Sequence, residues 1–401
     1  MPSTQTSPIY LIDDGPSIGV ARKPLLFWGN YVAVRHEDGL EAFPSGHFVN
    51  NPVKLNESEE PDASTRSAPK WLVELFIRAV KSPSKAGASF EVEVLKHVSK
   101  PVILVNCLDG CYGHCLYKLA YVLELENNPE KDTVVIIHPA FRHLVPDSVS
   151  EIWLVRAPFN VLDFKIGGFH EFVTSQLERL QTFELAHVRM DLPLEEFDFT
   201  RLTKIQPFDF KALKTRPFRV TLILREDRFW LRSRFDSFFY LACIKFGWLR
   251  KMKWYFALRQ KSYLRSFVKK LRRQLDVEVQ AIGIGRTLSL PYLRDERLDY
   301  AEFAAQEERW LRVYAASHVC IGVHGSNMLL PSYLAGSCVS LLPDFKISNF
   351  SEELIPKPGP AQRNMHVNRT LPLNTSPTQL MAHTVGIING WRHGEKRGVQ
   401  I

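Results

Sequence analysis

Two short polar turns in this sequence carry residue types that hold phosphate groups and transfer protons. The later turn consists of His324, Gly325, Ser326 and Asn327, and it follows an apolar run that suits a buried strand of a parallel sheet. A helix beginning at about Met328 would point its unpaired first N–H groups at a bound anion, and Gly325 would let that anion approach the backbone. The pattern predicts a phosphate-binding turn or, equally, an ordinary turn in which Ser326 or Asn327 caps the helix.

The earlier turn contains Asp109, Gly110, Gly113 and His114, and it also lies between an apolar run and a predicted helix. The ordinary pKa of histidine is near neutral pH, so His114 could act as a general base, or it could hydrogen-bond an acceptor or a diphosphate. Asp109 would stand behind it, and the two glycines would form an acceptor-side loop. A histidine beside glycine is also common as a structural residue, and both interpretations stay open.

A pair of arginines, Arg225 and Arg228, follows another apolar run, R-V-T-L-I-L. Open α/β sheets bind ligands beyond the carboxyl ends of their strands, and a planar guanidinium pairs with two phosphate oxygens at once. We therefore expect the two arginines to contact phosphate. The alternative is that Arg225 pairs with its neighbour Glu226 or Asp227 at the surface.

Apolar runs bounded by turn residues alternate with segments of helical periodicity along most of the chain. The predicted strands are 102–105, 133–138, 151–155, 219–224 and 319–323. The predicted helices are 71–80, 115–126 and 378–391, and residues 39–69 are predicted to form a loop. This alternation indicates an α/β fold with parallel sheets. A length of 401 residues with 45% apolar content is sufficient for two cores.

The region around the later turn resembles the C-terminal signature of glycosyltransferase family 61. In that family a helix with an E-Q pair and the turn A-x-x-(I/V)-(I/V)-G-x-H-G-A-G-L-x-N precede a Pro/Gly loop and a strand. The matching residues here are Phe303, Gln306, Glu307, Ala315 and the run I-G-V-H-G-S-N-M, followed by V-S-L-L-P. Gln306 and Glu307 stand in the reverse order, and Ser326 and Asn327 replace the usual Ala and Gly.

The resemblance implies a fold of the GT-B type, in which two doubly wound Rossmann-like α/β lobes face a cleft. On this basis residues 1–100 are expected to form a partly flexible N-terminal extension and residues 101–212 the acceptor-side lobe. Residues 213–375 would form the lobe that binds the nucleotide sugar, and residues 376–401 a C-terminal helix and tail. The Pro-containing stretch 206–217 would link the two lobes.

The resemblance also implies a glycosyltransferase that moves a sugar from a nucleotide-diphosphate sugar to a hydroxyl of a glycan, a lipid-linked sugar or a protein, as in polysaccharide biosynthesis. The expected enzyme is an inverting hexosyl- or pentosyltransferase. No D-x-D motif is visible, so no metal or other cofactor is expected. Arg225, Arg228 and the later turn would neutralise the charge of the leaving diphosphate, and His114 and Asp109 would be catalytic.

Two alternatives to this activity remain open. The run C-x-D-G-x-x-G-H resembles a loop of GT-B fucosyltransferases, which use GDP-fucose. A protein of the same fold could instead lack catalysis and dock on a membrane or a nucleic acid.

The net charge of +8 is concentrated in one stretch. Residues 225–273 hold 15 Lys or Arg against three acidic residues, interleaved with aromatic side chains. A membrane surface, a nucleic acid and an ordinary helix pair with a basic outer face are all compatible with this composition. Nucleic acid is the least favoured because no nucleic-acid-binding motif accompanies the stretch, and peripheral membrane contact is kept as an expectation.

The compartment is inferred from what the sequence lacks. No apolar segment is long enough to span a bilayer, and the N-terminus has neither the basic nor the apolar region of a secretory signal, so a cytoplasmic location is expected. Six cysteines fit reduced thiols in a chain of this length. Cys107, Cys111 and Cys115 lie near His114, but they form no C-x-x-C pair, so metal binding is not expected.

Overall fold

The computed structural model describes residues 9–12, 18–21, 25–36, 39–44, 53–56, 70–81, 87–180, 182–186, 188, 197–298, 303–349, 355, 357 and 366–396. These residues form a mixed α/β protein with two large sheets, built mainly from parallel strands, and one small antiparallel sheet. The chain divides into two compact units, Met1–Pro193 and Leu194–Ile401. Much of the predicted loop 39–69 and the side chains of Phe303 and Gln306 lie outside the described part.

The first unit consists mostly of strands. Its elements are β1 (Ile9–Ile12), β2 (Ile18–Ala21), β3 (Leu25–Trp28), β4 (Tyr31–His36), β5 (Gly39–Pro44), β6 (Val53–Asn56), α1 (Lys70–Lys81), β7 (Ser89–Val94), β8 (Val102–Asn106), α2 (Tyr112–Glu124), β9 (Asp132–Ile137), β10 (Glu151–Arg156), α3 (Phe169–Leu177) and β11 (Phe183–Ala186).

The main sheet of the first unit has the order β2-β1-β11-β8-β9-β10-β7. Its five central strands are parallel, and β2 and β7 pair antiparallel at the two edges. Strands β3 to β6 form the small antiparallel sheet, where the Tyr31 and Phe76 rings pack 5.6 Å apart. Strands from the first hundred residues thus belong to the main sheet, whereas the sequence suggested only an extension there.

Strand β8 lies where the direction of winding in this sheet reverses. Its side chains are buried along its whole length, and it pairs with β9 on one side and with β11 on the other. At such a reversal, loops diverge beyond the carboxyl ends of the strands and leave a crevice in which ligands bind. The loop 107–111, which leads from β8 into α2, begins at this place.

The second unit alternates strands and helices. Its elements are α4 (Thr200–Thr203), β12 (Phe218–Arg225), α5 (Arg234–Lys245), α6 (Leu249–Gln274), β13 (Val277–Ile284), β14 (Arg294–Asp295), α7 (Phe303–Ala315), β15 (Val319–Val323), α8 (Leu329–Leu334), β16 (Ser337–Leu342), β17 (Val367–Pro372) and α9 (Pro377–Lys396).

All neighbouring strands in the sheet of the second unit are parallel. The order β14-β13-β12-β15-β16-β17 becomes 3-2-1-4-5-6 when the strands are numbered along the chain, which is the order of the dinucleotide-binding Rossmann sheet. The winding reverses between β12 and β15. Arg225 ends β12 and Arg228 lies in the turn after it, and His324 to Asn327 follow β15, so both predicted motifs lie at the reversal.

A large apolar cluster stabilises the second unit by removing alternate side chains of its strands from water. Helix α9 contributes Leu380, Ile387, Ile388 and Trp391 to this cluster. Phe208, Phe210 and Leu213 also belong to it. The stretch 206–217, which the sequence suggested as a linker, is therefore partly core.

The five predicted strands are confirmed as β8, β9, β10, β12 and β15, with ends that differ by no more than one residue. The predicted helices are confirmed as α1, α2 and α9, but α2 begins at Tyr112. Gly113 and His114 consequently lie in its first turn and not in the loop, because tertiary packing overrides the low helix propensity of glycine. The loop prediction is wrong at 39–44 and 53–56, which are strands.

The helix after the later turn, expected from about Met328, begins at Leu329 and is short. Ser326–Met328 form one 3-10 turn, α8 has six residues, and neither segment has a side-chain cap. The capping prediction for Ser326 and Asn327 is therefore wrong. Only two residues separate α8 from β16, so the chain has no length for a longer helix at this position.

The carboxylate of Asp236 joins α5 to α6. It is fully buried, and it accepts hydrogen bonds from Arg259 Nη2 at 2.9 Å and from the Arg232 amide at 3.2 Å. Burial raises its pKa, but the hydrogen bond and charge of Arg259 lower it more, so its pKa lies below the ordinary 3.8. Replacing Asp236 by Ala should lower the free energy of unfolding at neutral pH by about 2 kcal/mol, because Arg259 loses its buried partner.

Urea denaturation of the Asp236→Ala protein checks this, with the exposed carboxylate variant Asp276→Ala as the control. A depressed folded-state pKa means that the stabilisation by Asp236 is present above pH 3.8 and is lost as the pH falls through the folded-state value. The gap between wild type and Asp236→Ala should therefore close in acid. Equal stability of the two variants at neutral pH would contradict the assigned role.

Candidate functional site

The carboxylate of Asp109 is the centre of a polar cluster in the loop after β8. It is 2% exposed, and its Oδ1 accepts a hydrogen bond from the Cys111 amide at 2.8 Å and lies 3.1 Å from His114 Nδ1. Its Oδ2 lies 3.2 Å from Nζ of the fully buried Lys118, which also donates to Leu108 O at 2.6 Å. Two basic side chains of α2 thus compensate one buried negative charge.

A second carboxylate, Asp163, contacts the same loop. Its Oδ1 accepts hydrogen bonds from the Gly110 amide at 2.8 Å and from Asn30 Nδ2 at 3.1 Å. A Cβ on Gly110 would overlap the carboxylate, so glycine is required for this approach. Burial, and then the charge of Asp109, raise the pKa of the Asp163 carboxyl. Asp163 therefore takes up a proton more readily than an ordinary aspartate does.

Cys111 and His114 form a hydrogen-bonded pair at the N-terminal end of α2. Burial lowers the pKa of His114, but Asp109 and Cys111 together raise it, to about 10. Burial raises the pKa of the Cys111 thiol, but the hydrogen bond and charge of His114 bring it below the ordinary 9.0. His114 is therefore an imidazolium at neutral pH. This removes the reason for expecting it to be a general base, which was its ordinary pKa.

The structure places all four residues predicted from the earlier turn in or beside this cluster: Asp109, Gly110, Gly113 and His114. Gly113 differs from the expectation, because it is buried inside α2 and not part of a loop. Sequence reasoning missed Asn30 and Asp163, which lie 79 and 53 residues from their partners in the loop and stand in no motif. Lys118 had a signal, since it follows His114 by one helical turn.

The later turn meets the end of β12 at the edge of the second sheet. Arg228 Nη1 donates a hydrogen bond to His324 O at 3.4 Å. Gly325 has φ of +156°, and a Cβ at this position would overlap the same Nη1 atom. The guanidinium can lie against the turn only because residue 325 is glycine. Arg228, His324 and Gly325 thus come together as predicted from two separate motifs.

Arg225 adopts the alternative that the sequence left open. Its Nε and Nη2 donate to the two carboxylate oxygens of Asp227 at 2.8 Å and 2.7 Å. Asn327 Nδ2 donates to Val323 O at 3.3 Å, so this amide fixes the end of β15 and does not cap α8. Ser326, the remaining residue of the predicted donor site, is half-buried in the 3-10 turn.

A cavity of about 760 Å³ lies at the carboxyl ends of β12 and β13. Its charged and polar lining consists of Glu226, Asp227, Arg250, Lys253, Arg286 and Thr287, and Leu249 and Ile284 form apolar wall. Lys253 Nζ lies 2.7 Å from the Glu226 carboxylate, which also accepts from the Thr287 amide at 2.6 Å. Within the described part of the chain, the lining includes none of the six predicted donor residues, although two of them flank Glu226 and Asp227 in sequence.

Among the described residues, no group of three or more His, Cys, Asp or Glu side chains is placed to hold a metal ion. No helix in the described part of the chain combines the length and the apolar character that crossing a membrane requires.

No protein-family profile matches the chain, and no curated protein matches it. Among solved structures, the chain is similar to E. coli ADP-heptose lps heptosyltransferase II, with 10% identical residues, coverage of 73% of this chain and 100% of that chain, and a TM-score of 0.31. A similarity with so low a TM-score supports no conclusion about this chain.

The Cys111 thiol is expected to be the reactive cysteine of the protein. All six cysteines are free, and Cys111 is half-buried whereas the other five are buried. Iodoacetamide should therefore alkylate Cys111 in the native protein, with a midpoint of the pH–rate profile below 9.0. Timed alkylation followed by peptide mass spectrometry measures both the site and the profile.

The matched variants for this experiment are His114→Ala and the exposed His97→Ala. Removing the imidazolium removes the group that stabilises the thiolate, so the midpoint should rise in His114→Ala and stay unchanged in His97→Ala. An unchanged midpoint in His114→Ala would show that His114 does not stabilise the Cys111 thiolate. Alkylation of the buried Cys107 at the same rate as Cys111 would show that Cys111 is not the reactive cysteine.

Proposed function

We propose that this protein is a glycosyltransferase of the GT-B type that moves a sugar from a nucleotide-diphosphate sugar to a hydroxyl acceptor. The observation that carries the proposal is the edge of the second sheet, where a parallel order of 3-2-1-4-5-6 has a cavity of about 760 Å³ at the ends of β12 and β13, next to the reversal between β12 and β15. Sheets of this order bind nucleotides beyond the carboxyl ends of their strands. Fold alone defines no activity, so the side chains at this edge must support it.

The cavity has the chemistry that a nucleotide needs. Arg250 and Arg286 would pair with phosphate oxygens, and the Asp227 carboxylate, which is 56% exposed, suits the hydroxyls of a ribose. The apolar wall would contact the base. A volume of about 760 Å³ lies within the range of about 300–1,000 Å³ that is usual for ligand pockets.

The turn after β15 would receive the leaving diphosphate. Arg228 lies against Gly325 and is held by His324 O, so its guanidinium is already positioned before a ligand binds. A fixed positive charge stabilises the negative charge that develops on a leaving group, a role that a metal ion fills in other transferases. Transfer without a metal ion is therefore part of the proposal.

The first unit would bind the acceptor and remove its proton. The acceptor oxygen attacks the anomeric carbon while the bond to the diphosphate breaks, the proton passes to Asp163, and the nucleoside diphosphate leaves with the bonding electrons. The raised pKa of Asp163 favours this proton transfer. The His114 imidazolium, held by Asp109, would place a positive charge beside the acceptor.

Replacing Gly325 by Ala should weaken nucleotide binding. The new Cβ displaces the Arg228 guanidinium, so the affinity for the matching nucleoside diphosphate should fall by about tenfold or more. Thermal shift with UDP, GDP, CDP and their sugars, with and without Mg²⁺, finds the ligand, and calorimetric titration gives the affinity. Gly390→Ala is the control, because a Cβ at Gly390 meets no atom within 4 Å.

Each result of this experiment has a definite meaning. A shift with one nucleotide class without Mg²⁺, lost in Gly325→Ala and kept in Gly390→Ala, supports the proposed donor site. No shift with any nucleotide or nucleotide sugar, in the presence or absence of Mg²⁺, would show that the proposed function is wrong.

Replacing Asp163 by Asn should abolish proton removal and leave nucleotide binding intact. Turnover, measured as release of nucleoside diphosphate from the nucleotide sugar that binds, should fall on the order of 100-fold. In the wild type, turnover should fall in acid with a midpoint above the ordinary aspartate pKa of 3.8. Asp147→Asn, at an exposed turn, is the matched control. Wild-type turnover in Asp163→Asn, with binding retained, would exclude Asp163 as the base.

A further inference from the structure

Helices α5 and α6 form a hairpin whose outer surface is unusually apolar. Eight of the twelve large hydrophobic side chains that are exposed in the described part of the chain lie between residues 235 and 258. Such side chains scattered singly on a surface need no explanation, but a contiguous group marks an interaction surface. We call this group, with the basic residues around it, the aromatic hairpin.

On α5 the exposed apolar side chains follow one helical face. Phe235, Phe238, Leu241 and Ile244 recur every three residues, and Phe238 is 72% exposed. The opposite face of the same helix places Tyr240 in the core of the second unit. Helix α5 is therefore apolar on both sides, and among the residues that the structure describes only one of those sides is covered.

The turn of the hairpin and the first half of α6 extend this surface. Phe246 and Trp248 lie in the turn with ring centroids 5.4 Å apart. Trp254 is 62% exposed, and Leu258 follows it by one helical turn. Phe256 packs between α5 and α6 on the buried side, so the exposed rings stand on a rigid base.

The charge of the hairpin is almost entirely positive. From Arg234 to Gln274 the sequence contains twelve Lys or Arg and one acidic residue, Asp236. That carboxylate is fully buried and paired with Arg259, so it contributes nothing to the outer surface. Lys245 and Lys251, on either side of the turn, are both exposed.

We propose that the aromatic hairpin docks on the surface of a membrane that contains anionic lipid. Aromatic and aliphatic side chains would enter the boundary between headgroups and acyl chains, where tryptophan is favoured, and the surrounding lysines would contact anionic headgroups. The two contributions act together, since neither a few apolar side chains nor a few charges alone gives stable anchoring. Docking does not require the proposed transferase activity.

The same surface fits other partners less well. Single-stranded nucleic acid binds by stacking on rings, but Leu241, Ile244 and Leu258 offer no ring. A second copy of the chain docked through the same face in a symmetric dimer would bring two basic surfaces, each with the exposed Lys245 and Lys251, against each other. An anionic bilayer satisfies both the apolar side chains and the charge.

Docking would also place the cavity near the membrane. Arg250 and Lys253 of the cavity lining lie on the first turns of α6, between the exposed Trp248 and Trp254. If the proposed transferase function holds, this arrangement favours an acceptor that carries a lipid, because such an acceptor is presented at the bilayer surface.

Flotation of the full-length protein with vesicles tests the proposal. We expect binding to vesicles of phosphatidylcholine with phosphatidylglycerol and much weaker binding to phosphatidylcholine alone. The variants are Trp248→Ala with Trp254→Ala, and Lys245→Glu with Lys251→Glu; each pair should weaken binding by about tenfold or more. Phe345→Ala with Ile347→Ala is the matched control, since these side chains are 56% and 68% exposed elsewhere in the second unit.

Two further measurements identify the other occupants. Salt-dependent binding to a single-stranded oligonucleotide, lost in the lysine variant and without vesicle binding, would assign the surface to nucleic acid and overturn the proposal. A concentration-dependent dimer in sedimentation velocity, lost in the tryptophan variant and without vesicle binding, would assign it to a second copy. Absence of binding to anionic vesicles, or equal loss in the control variant, would also overturn it.

Quenching of wild-type tryptophan fluorescence by brominated lipid, reduced in the tryptophan variant, would confirm insertion.

Discussion

Everything in the first candidate site depends on one buried negative charge, the carboxylate of Asp109. A carboxylate that is removed from water must be compensated by donors and positive charge, or it takes up a proton. Here the compensation comes from the Cys111 amide and from Lys118 and His114 of α2. Because these partners belong to the loop and to the helix that follows it, their bonds to Asp109 fix where α2 begins. The ionic cluster and the local backbone therefore form one unit.

In the second unit the corresponding constraint is the parallel pairing of the strands. Parallel strands bring their carboxyl ends to one edge of a sheet, so residues almost a hundred positions apart meet without any pairing between their own side chains. Arg228 and His324 are 96 residues apart and are joined by a hydrogen bond between guanidinium and carbonyl. The Arg225 side chain leaves the same strand end but bonds to Asp227. Parallel pairing brings the ends of β12 and β15 together. The Asp227 carboxylate then binds Arg225, and Arg228 contacts the turn after β15.

The sequence predicted the parts of this protein that depend on local pattern. Strands such as β8 and β15 are continuous apolar runs bounded by turn residues, which is the pattern of a strand buried on both faces of a parallel sheet. Element ends were less predictable, because the start of α2 is set by Asp109 and its partners and not by helix propensity. Asn30 and Asp163 could not have been found by any local argument. They join the site through chain topology, and neither stands in a recognisable motif.

The two carboxylates of the first site have different surroundings, and this difference gives them different chemistry. Asp109 is bonded to two basic side chains of α2 and to a backbone amide, so its charge is held by structure. The hydrogen bonds of Asp163 come from neutral groups, an amide N–H and the side chain of Asn30. Burial and the negative charge of Asp109 then raise the pKa of Asp163. Asp163 therefore exchanges a proton more readily than an ordinary aspartate does, whereas Asp109 is tied to two cations. The fixed charge also raises the pKa of His114, so the group best able to accept a proton here at neutral pH is Asp163 and not the histidine.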